Sequence, residues 1–314
     1  MKIVFMGTPD FSVPCLKALC KSGHNVAAVY TQPDKPKGRG YKMIPTPVKK
    51  CAEEFNIPVY QPKSLRKGED AEKAVENLGE IAPDLIIVVA YGQILPQSIL
   101  DLPRYGCINI HASLLPEYRG AAPIQWCILD GKTETGVTSM KMESGLDTGD
   151  MLIKRSISIG ENETSSELHD RLSELGAEVL LETIQALESG TLKSEKQDDE
   201  RSTYAKMITK EMSRLDFNEN AQTVHNVIRG VTGFTMLDGK RLKIYGSVIE
   251  GESTGEPGFV KDTSNFTVVC GDGKCVKFTE VQYEGGKRMK TEDFLRGRKL
   301  AELSLIHISE PTRQ

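Results

Sequence analysis

Residues 85–90, Leu-Ile-Ile-Val-Val-Ala, form an apolar run without a break. A strand with one wet face alternates polar and apolar residues. An unbroken run is the pattern of a strand covered on both faces, as in a parallel sheet between two layers of helix. The neighbouring segments fit that constraint. Residues 2–6 and 26–31 read as further strands, 58–60 as a short one, and 13–21 and 46–55 as helices, the first closed by Ser22-Gly23. Strands near 136–142 and 151–157 follow, and an amphipathic pattern over 165–187 predicts a long helix. Strands alternating with helices imply right-handed βαβ units, so the expected fold class is α/β with a Rossmann-like, mostly parallel sheet.

At 314 residues the chain is long for one core and comfortable for two. The texture changes after 190. Residues 193–201 are charged and poor in apolar side chains, as a linker is. Beyond a helical pattern at 221–228, short strands are expected at 241–245, 258–261, 267–270 and 275–281, separated by glycine turns. That spacing is the signature of a small antiparallel barrel. The expected organisation is a Rossmann-like domain over 1–190, a linker over 191–206 and an OB-like small β-barrel domain over 207–302. Residues 303–314 resemble the translation of a sequencing-adapter string and are treated as an artefact, which sets His307 aside.

A formal charge of −4 gives no strong overall field, and no apolar run approaches the roughly 18 to 20 residues of a membrane span. The opening Met-Lys-Ile-Val-Phe-Met-Gly turns to glycine too early for a signal-peptide core and reads as a first strand. Seven cysteines, an odd count, form no C-x-x-C pair and no Cys/His cluster, so zinc is not expected. A reducing cytoplasm is the simplest setting.

The chemistry concentrates in Cys107-Ile-Asn-Ile-His-Ala-Ser-Leu-Leu-Pro-Glu-Tyr-Arg-Gly-Ala-Ala-Pro123. Asn109 and His111 are two apart on an apolar strand, so an amide and an imidazole project to one side at its carboxyl end. Open α/β sheets bind their ligands there. Gly7-Thr-Pro-Asp10 follows the first strand but lacks the later glycines of a dinucleotide fingerprint, and Pro9 removes a donor that a pyrophosphate would use. Asp147-Thr148-Gly149 matches the aspartic-protease tripeptide, yet occurs once and in an α/β context. As a lone carboxylate on a glycine-flanked loop, Asp147 is suited to take a proton or orient an imidazole.

Asn109, the stretch 111–116, Arg119-Gly-Ala-Ala-Pro-Ile-Gln125 and Leu146-Asp-Thr-Gly-Asp150 together resemble the 10-formyltetrahydrofolate-dependent formyltransferases. Phe5-Met-Gly-Thr-Pro-Asp-Phe11, Thr31-Gln-Pro-Asp34 and Gly38-Arg-Gly40 are similar to the bacterial members that act on methionyl-tRNA. The resemblance implies formyl transfer from 10-formyltetrahydrofolate to the α-amine of initiator methionyl-tRNA, by a metal-free monomer. It gives the catalytic roles to Asn109, His111 and Asp147. Ser113, Leu114, Leu115 and Pro116 would form part of the folate pocket, with Tyr91, Gly92 and Ile94 on its other wall. Leu114 and Leu115 read equally well as plain core. The basic loop carrying Lys35, Lys37, Arg39 and Lys42 would enter the tRNA acceptor stem, with Arg39 the leading contact.

Residues 204–302 hold sixteen Lys or Arg against fourteen acids, only slightly basic, with the densest patches at 286–290 and 296–299. Family members usually carry Pro-Trp-Pro after the helix matching 221–228, whereas this chain runs Gly230-Val-Thr-Gly-Phe-Thr235. A formyltransferase for an amino sugar would share Asn109, His111 and Asp147, and would be expected to lack the basic loop and the barrel. A binding protein with dead chemistry would be expected to have lost the triad.

Overall fold

The computed structural model describes residues 1–37 and 42–298. Along them run β1 (Lys2–Gly7), α1 (Val13–Lys21), β2 (Asn25–Tyr30), β3 (Lys35–Lys37), β4 (Lys42–Ile44), α2 (Pro47–Glu54), β5 (Val59–Tyr60), α3 (Glu69–Ile81) and β6 (Leu85–Val89). Then come α4 (Gln97–Leu100), β7 (Cys107–His111), β8 (Arg119–Gly120), α5 (Pro123–Leu129), β9 (Glu134–Lys141), β10 (Met151–Ser158), α6 (Ser165–Glu188) and β11 (Tyr204–Ala205). The chain continues with α7 (Ala221–Val231), β12 (Phe234–Leu237), β13 (Lys240–Glu252), β14 (Val260–Asp262), β15 (Thr267–Val269), β16 (Lys274–Tyr283), β17 (Met289–Lys290) and α8 (Thr291–Arg296). Two compact units result: 1–123 with 135–157 and 169–205, and 124–134 with 158–168 and the residues from 206. No helix among the described residues is long and apolar enough to cross a membrane.

In the first unit the strand order is β10-β9-β7-β6-β1-β2-β5. The pairings β1 with β2, β1 with β6, β6 with β7 and β2 with β5 are all parallel, and β9 runs antiparallel to β7. All five residues of β6 are buried, as its unbroken apolar run requires. Helix α2 begins with Pro47 behind a Thr46 cap, whose hydroxyl accepts from the Lys49 amide at 3.1 Å. Two features were not legible beforehand. Helix α3 lies in a stretch to which the sequence reading assigns no element; its buried face is Ala71, Ala74 and Leu78, which mark it weakly. The basic segment read as a loop is an antiparallel hairpin, Lys35 opposite Ile44 and Lys37 opposite Lys42. At its root, Lys49 donates to Asp34 at 2.7 Å and Gln61 donates to Asp34 at 2.6 Å, which together hold the Asp34 carboxyl below the usual carboxylate range.

The second unit centres on the antiparallel sheet β12-β13-β16-β15-β14, with β17 beside β16. Leu215, Phe217, Leu242, Ile244, Phe266, Val276, Phe278 and Phe294 fill its core together with Val224 and Ile228 of α7. Phe266 packs on Phe278 with ring centroids 5.0 Å apart. Each such aromatic removes enough surface from water to contribute roughly 1.5–3 kcal/mol. Thr232, in the left-handed region, and Gly233 join α7 directly to β12.

A buried histidine sits in this unit. The His225 ring donates through Nε2 to the Glu161 carbonyl at 3.1 Å, and its Nδ1 lies 2.8 Å from the Ser247 hydroxyl. Burial, and then the nearby Arg229 charge, hold its pKa below the ordinary 6.5, against the opposing pull of the Glu161 carbonyl. A folded-state pKa below the unfolded one means that the unfolded chain binds the proton more readily. The stability contributed by the neutral ring is therefore complete above about pH 6.5 and is lost as pH falls through the folded value. Melting temperature is expected to fall on acidification from pH 7 to 5, and His225→Gln should flatten that fall. An unchanged slope in the variant would rule the residue out as its source.

Candidate active site

β7 alternates buried Ile108 and Ile110 with Asn109 and His111. That period of two delivers the amide and the imidazole to the carboxyl end of the parallel sheet, where β6 and β7 lie side by side with Val88 opposite Asn109. Asp147 approaches on the 142–150 loop between β9 and β10. Its Oδ1 lies 3.5 Å from Asn109 Nδ2, its Oδ2 lies 3.8 Å from His111 Nδ1, and Gly120 N–H donates to Oδ2 at 2.8 Å. The three residues named from the sequence are thus brought together.

Hydrogen bonding fixes the state of the imidazole. His111 Nε2 lies 2.9 Å from the Tyr118 carbonyl, and a carbonyl can only accept. The Nε2 position therefore carries a proton, and Nδ1, facing Asp147, is the nitrogen free to take up or release one. His111 is only 7% exposed, so its ring has little room to turn away. The arrangement offers an amide donor, a proton-accepting imidazole nitrogen and a carboxylate held by a backbone amide. These are the parts needed to stabilise a developing oxyanion and to move a proton. Cys107, at the start of the same strand, is pushed up to about 12 by burial and is no nucleophile at neutral pH.

The other predicted residues fall differently. Ser113 is buried and its hydroxyl donates to the Glu117 carbonyl at 2.7 Å, while Thr138 donates to the Ser113 carbonyl and accepts from the Leu115 amide. Leu115, 1% exposed, packs with Met140 and Met151. Tyr91, 2% exposed, joins the core of Tyr30, Leu95 and Ile99. Both side chains are therefore core, whereas Ile94 and Leu146 are exposed apolar side chains. Leu114 is half-buried, Pro116 is buried, and Gly92 is exposed. Lys35 is exposed on β3; Lys37 and Lys42 stand at the hairpin's inner ends, and Arg39 lies outside the described residues, as does the tail 303–314. In the second unit Arg288 pairs with Glu280, Arg296 with Asp293 and Arg298 with Asp238. Exposed pairs of this kind are weak, about 0–1 kcal/mol, and a phosphate can replace the carboxylate.

Three groups of the site carry no mark in the sequence: the Gly120 amide, the Tyr118 carbonyl and Gln197, which donates to the Asp147 carbonyl at 2.8 Å. Backbone groups leave no residue-type signal, and Gln197 lies in a segment whose composition reads as linker. Among the described residues, no cluster of three or more His, Cys, Asp or Glu side chains is arranged to hold a metal ion.

Known proteins resemble this chain in both of its parts. Residues 1–184 match the family described as formyl transferase, and residues 207–299 match the formyl transferase C-terminal domain. The chain is 52% identical over 306 residues to the methionyl-tRNA formyltransferase of Geobacter metallireducens, covering 96% of each chain. Against the enzyme of the same name from Alkaliphilus oremlandii it is 48% identical over 303 residues, 95% of this chain and 96% of that one. Its fold is similar to that of a Helicobacter canadensis N-formyltransferase solved with folinic acid and dTDP-3-aminofucose, at a TM-score of 0.67 and 21% identity over 90% of this chain and 99% of that one. With both of its parts matched and half of its residues shared with curated relatives over nearly the whole length, this chain belongs to the formyl transferase family.

Proposed function

We propose that the protein transfers the formyl group of 10-formyltetrahydrofolate to the α-amine of methionine carried by initiator tRNA. The observation that carries this reading is the convergence of Asn109, His111 and Asp147 in a chain half-identical, end to end, to relatives named methionyl-tRNA formyltransferase. Only the neutral amine attacks, so the α-ammonium first gives up one proton to water; once bonded to the formyl carbon the nitrogen is positive and loses a second, which His111 Nδ1, 3.8 Å from the Asp147 carboxylate, is placed to accept. The amine nitrogen bonds to the formyl carbon, and the carbonyl oxygen becomes negative. The Asn109 amide is the donor suited to that oxygen. Collapse of the intermediate breaks the bond to N10 of the folate, and the proton taken from the amine passes to N10. All three groups come from one chain, which suits a monomer working in the cytoplasm.

Exposed Lys35 and, by its place in the basic segment of the sequence, Arg39 are the acceptor-stem contacts in this reading, with the second unit adding contacts along the tRNA. The test is a formyl-transfer assay offering methionyl initiator tRNA beside a set of nucleotide-linked amino sugars. Formylated tRNA is the expected product; modification of a sugar amine alone would overturn the substrate assignment. Arg39→Ala is expected to lower kcat/KM for the charged tRNA by about tenfold, through lost phosphate or base contact, with the KM for folate within about twofold. Equal losses toward both substrates would remove Arg39 from the tRNA interface.

A further inference from the structure

Gln197 lies between the two stretches matched by the family, in a run of charged residues, yet it is 5% exposed. Buried amides have to satisfy both ends. Here Nε2 donates to the Asp147 carbonyl at 2.8 Å and the Gly149 carbonyl at 2.7 Å, and Oε1 accepts from Arg119 Nε at 2.9 Å. The orientation is determined by chemistry, since both carbonyls can only accept and the guanidinium can only donate; a flipped amide would turn all three contacts repulsive.

Asp147 is consequently held at two points, its main-chain oxygen by Gln197 and its carboxylate by the Gly120 amide. Arg119, which orients Gln197, is the residue preceding Gly120, and its own amide is tied to the Thr203 carbonyl at 2.9 Å. One two-residue strand thus controls both ends of the aspartate. Asp147 itself sits at φ +53°, a conformation that a non-glycine residue keeps only when its surroundings impose it.

We infer that Gln197 is a positioning residue of the active site, which sets the Asp147 carboxylate against His111 and Asn109. The role rests on the reading of Asp147 as a proton-handling group in formyl transfer. Two variants probe it. Gln197→Leu keeps the shape without polar atoms; Gln197→Glu keeps the acceptor for Arg119 but removes both donors to the loop.

Each variant is expected to lower kcat about 10- to 100-fold, as small misplacements of a reacting group do, with the KM for both substrates within about twofold. Placed on Asp147→Asn, Gln197→Leu should cost less than about twofold more, because the group it positions is already disabled. Independently of any substrate, the Gly120 amide proton resonance, shifted by the carboxylate it binds, should move in both single variants. An unmoved Gly120 resonance would overturn the inference, as would an equal kcat loss in the Asp147→Asn background or failure of both variants to fold. A wild-type chain that formylates no tRNA would instead sink the proposed function and leave the Gly120 resonance to decide the role of Gln197.

Discussion

His111→Ala should lower kcat for formyl transfer by about a thousandfold, close to 4 kcal/mol of transition-state stabilisation, with KM for both substrates within about threefold. The size follows from the geometry. The imidazole is buried, locked through Nε2 onto the Tyr118 carbonyl, and turns its other nitrogen to Asp147, so no water can occupy the same position with the same orientation. A part of the damage is structural, since the Tyr118 carbonyl loses its partner at a cost of about 1–3 kcal/mol. His111→Gln serves as the control, because its amide can restore a donor to that carbonyl while supplying no proton-accepting nitrogen. Both variants should fall alike in kcat, and His111→Gln should recover the melting temperature. Asp147→Asn removes the other half of the pair, and His111→Ala/Asp147→Asn should be little slower than the slower single variant, as happens when residues act as a unit. A drop of less than tenfold in His111→Ala, or fully additive losses, would show that proton transfer at this pair does not limit the reaction.

The legible parts of the site are those whose signal is local. Asn109 and His111 stand at alternate positions of a buried strand, so period two alone aims them together. Asp147 is marked by its setting, a carboxylate among glycines at the end of a strand. Gln197 has no such mark. Its neighbours are Lys, Asp and Glu, no periodicity surrounds it, and its burial is created by Arg119 and the 147–149 carbonyls, far away in sequence. The same division holds for the fold. β6 declares itself by composition, while α3 hides because alanines carry its buried face. β13 was expected to stop at 245; it continues to Glu252 because register shifts on either side of Gly246 interrupt the alternation without ending the pairing. The turn before it, Asp238-Gly239 with both residues at positive φ, is the hairpin signal that the reading by strand alone passed over.

Gly149→Ala tests how rigidly the Asp147 loop must be held, and is expected to cost about 100-fold in kcat and about 2–4 kcal/mol in stability. The constraint is space. A Cβ at this position would lie 1.9 Å from the Lys141 carbonyl oxygen and 2.9 Å from its carbon, both backbone atoms of β9 that cannot swing aside. The loop would have to lift away from that strand, breaking the Gly149 carbonyl's bond to Gln197 and the bond from Lys141 N to the Asp150 carbonyl at 2.9 Å. Asp147, two residues earlier, would move with it. Gly145→Ala is the graded control, because the three atoms nearest its Cβ would all belong to the Thr148 side chain rather than to backbone, so a smaller loss of both activity and stability is expected. Gly79→Ala, in α3 with nothing within 4 Å, should leave kcat unchanged and raise stability by about 0.5–1 kcal/mol from helix propensity alone. Kinetics and thermal melts on the three variants then separate loop placement from glycine loss as such. If Gly149→Ala kept kcat within threefold while losing stability, the carboxylate would be finding its place without the loop's packing, and the transfer reaction would depend on Asn109 and His111 far more than on where Asp147 is held.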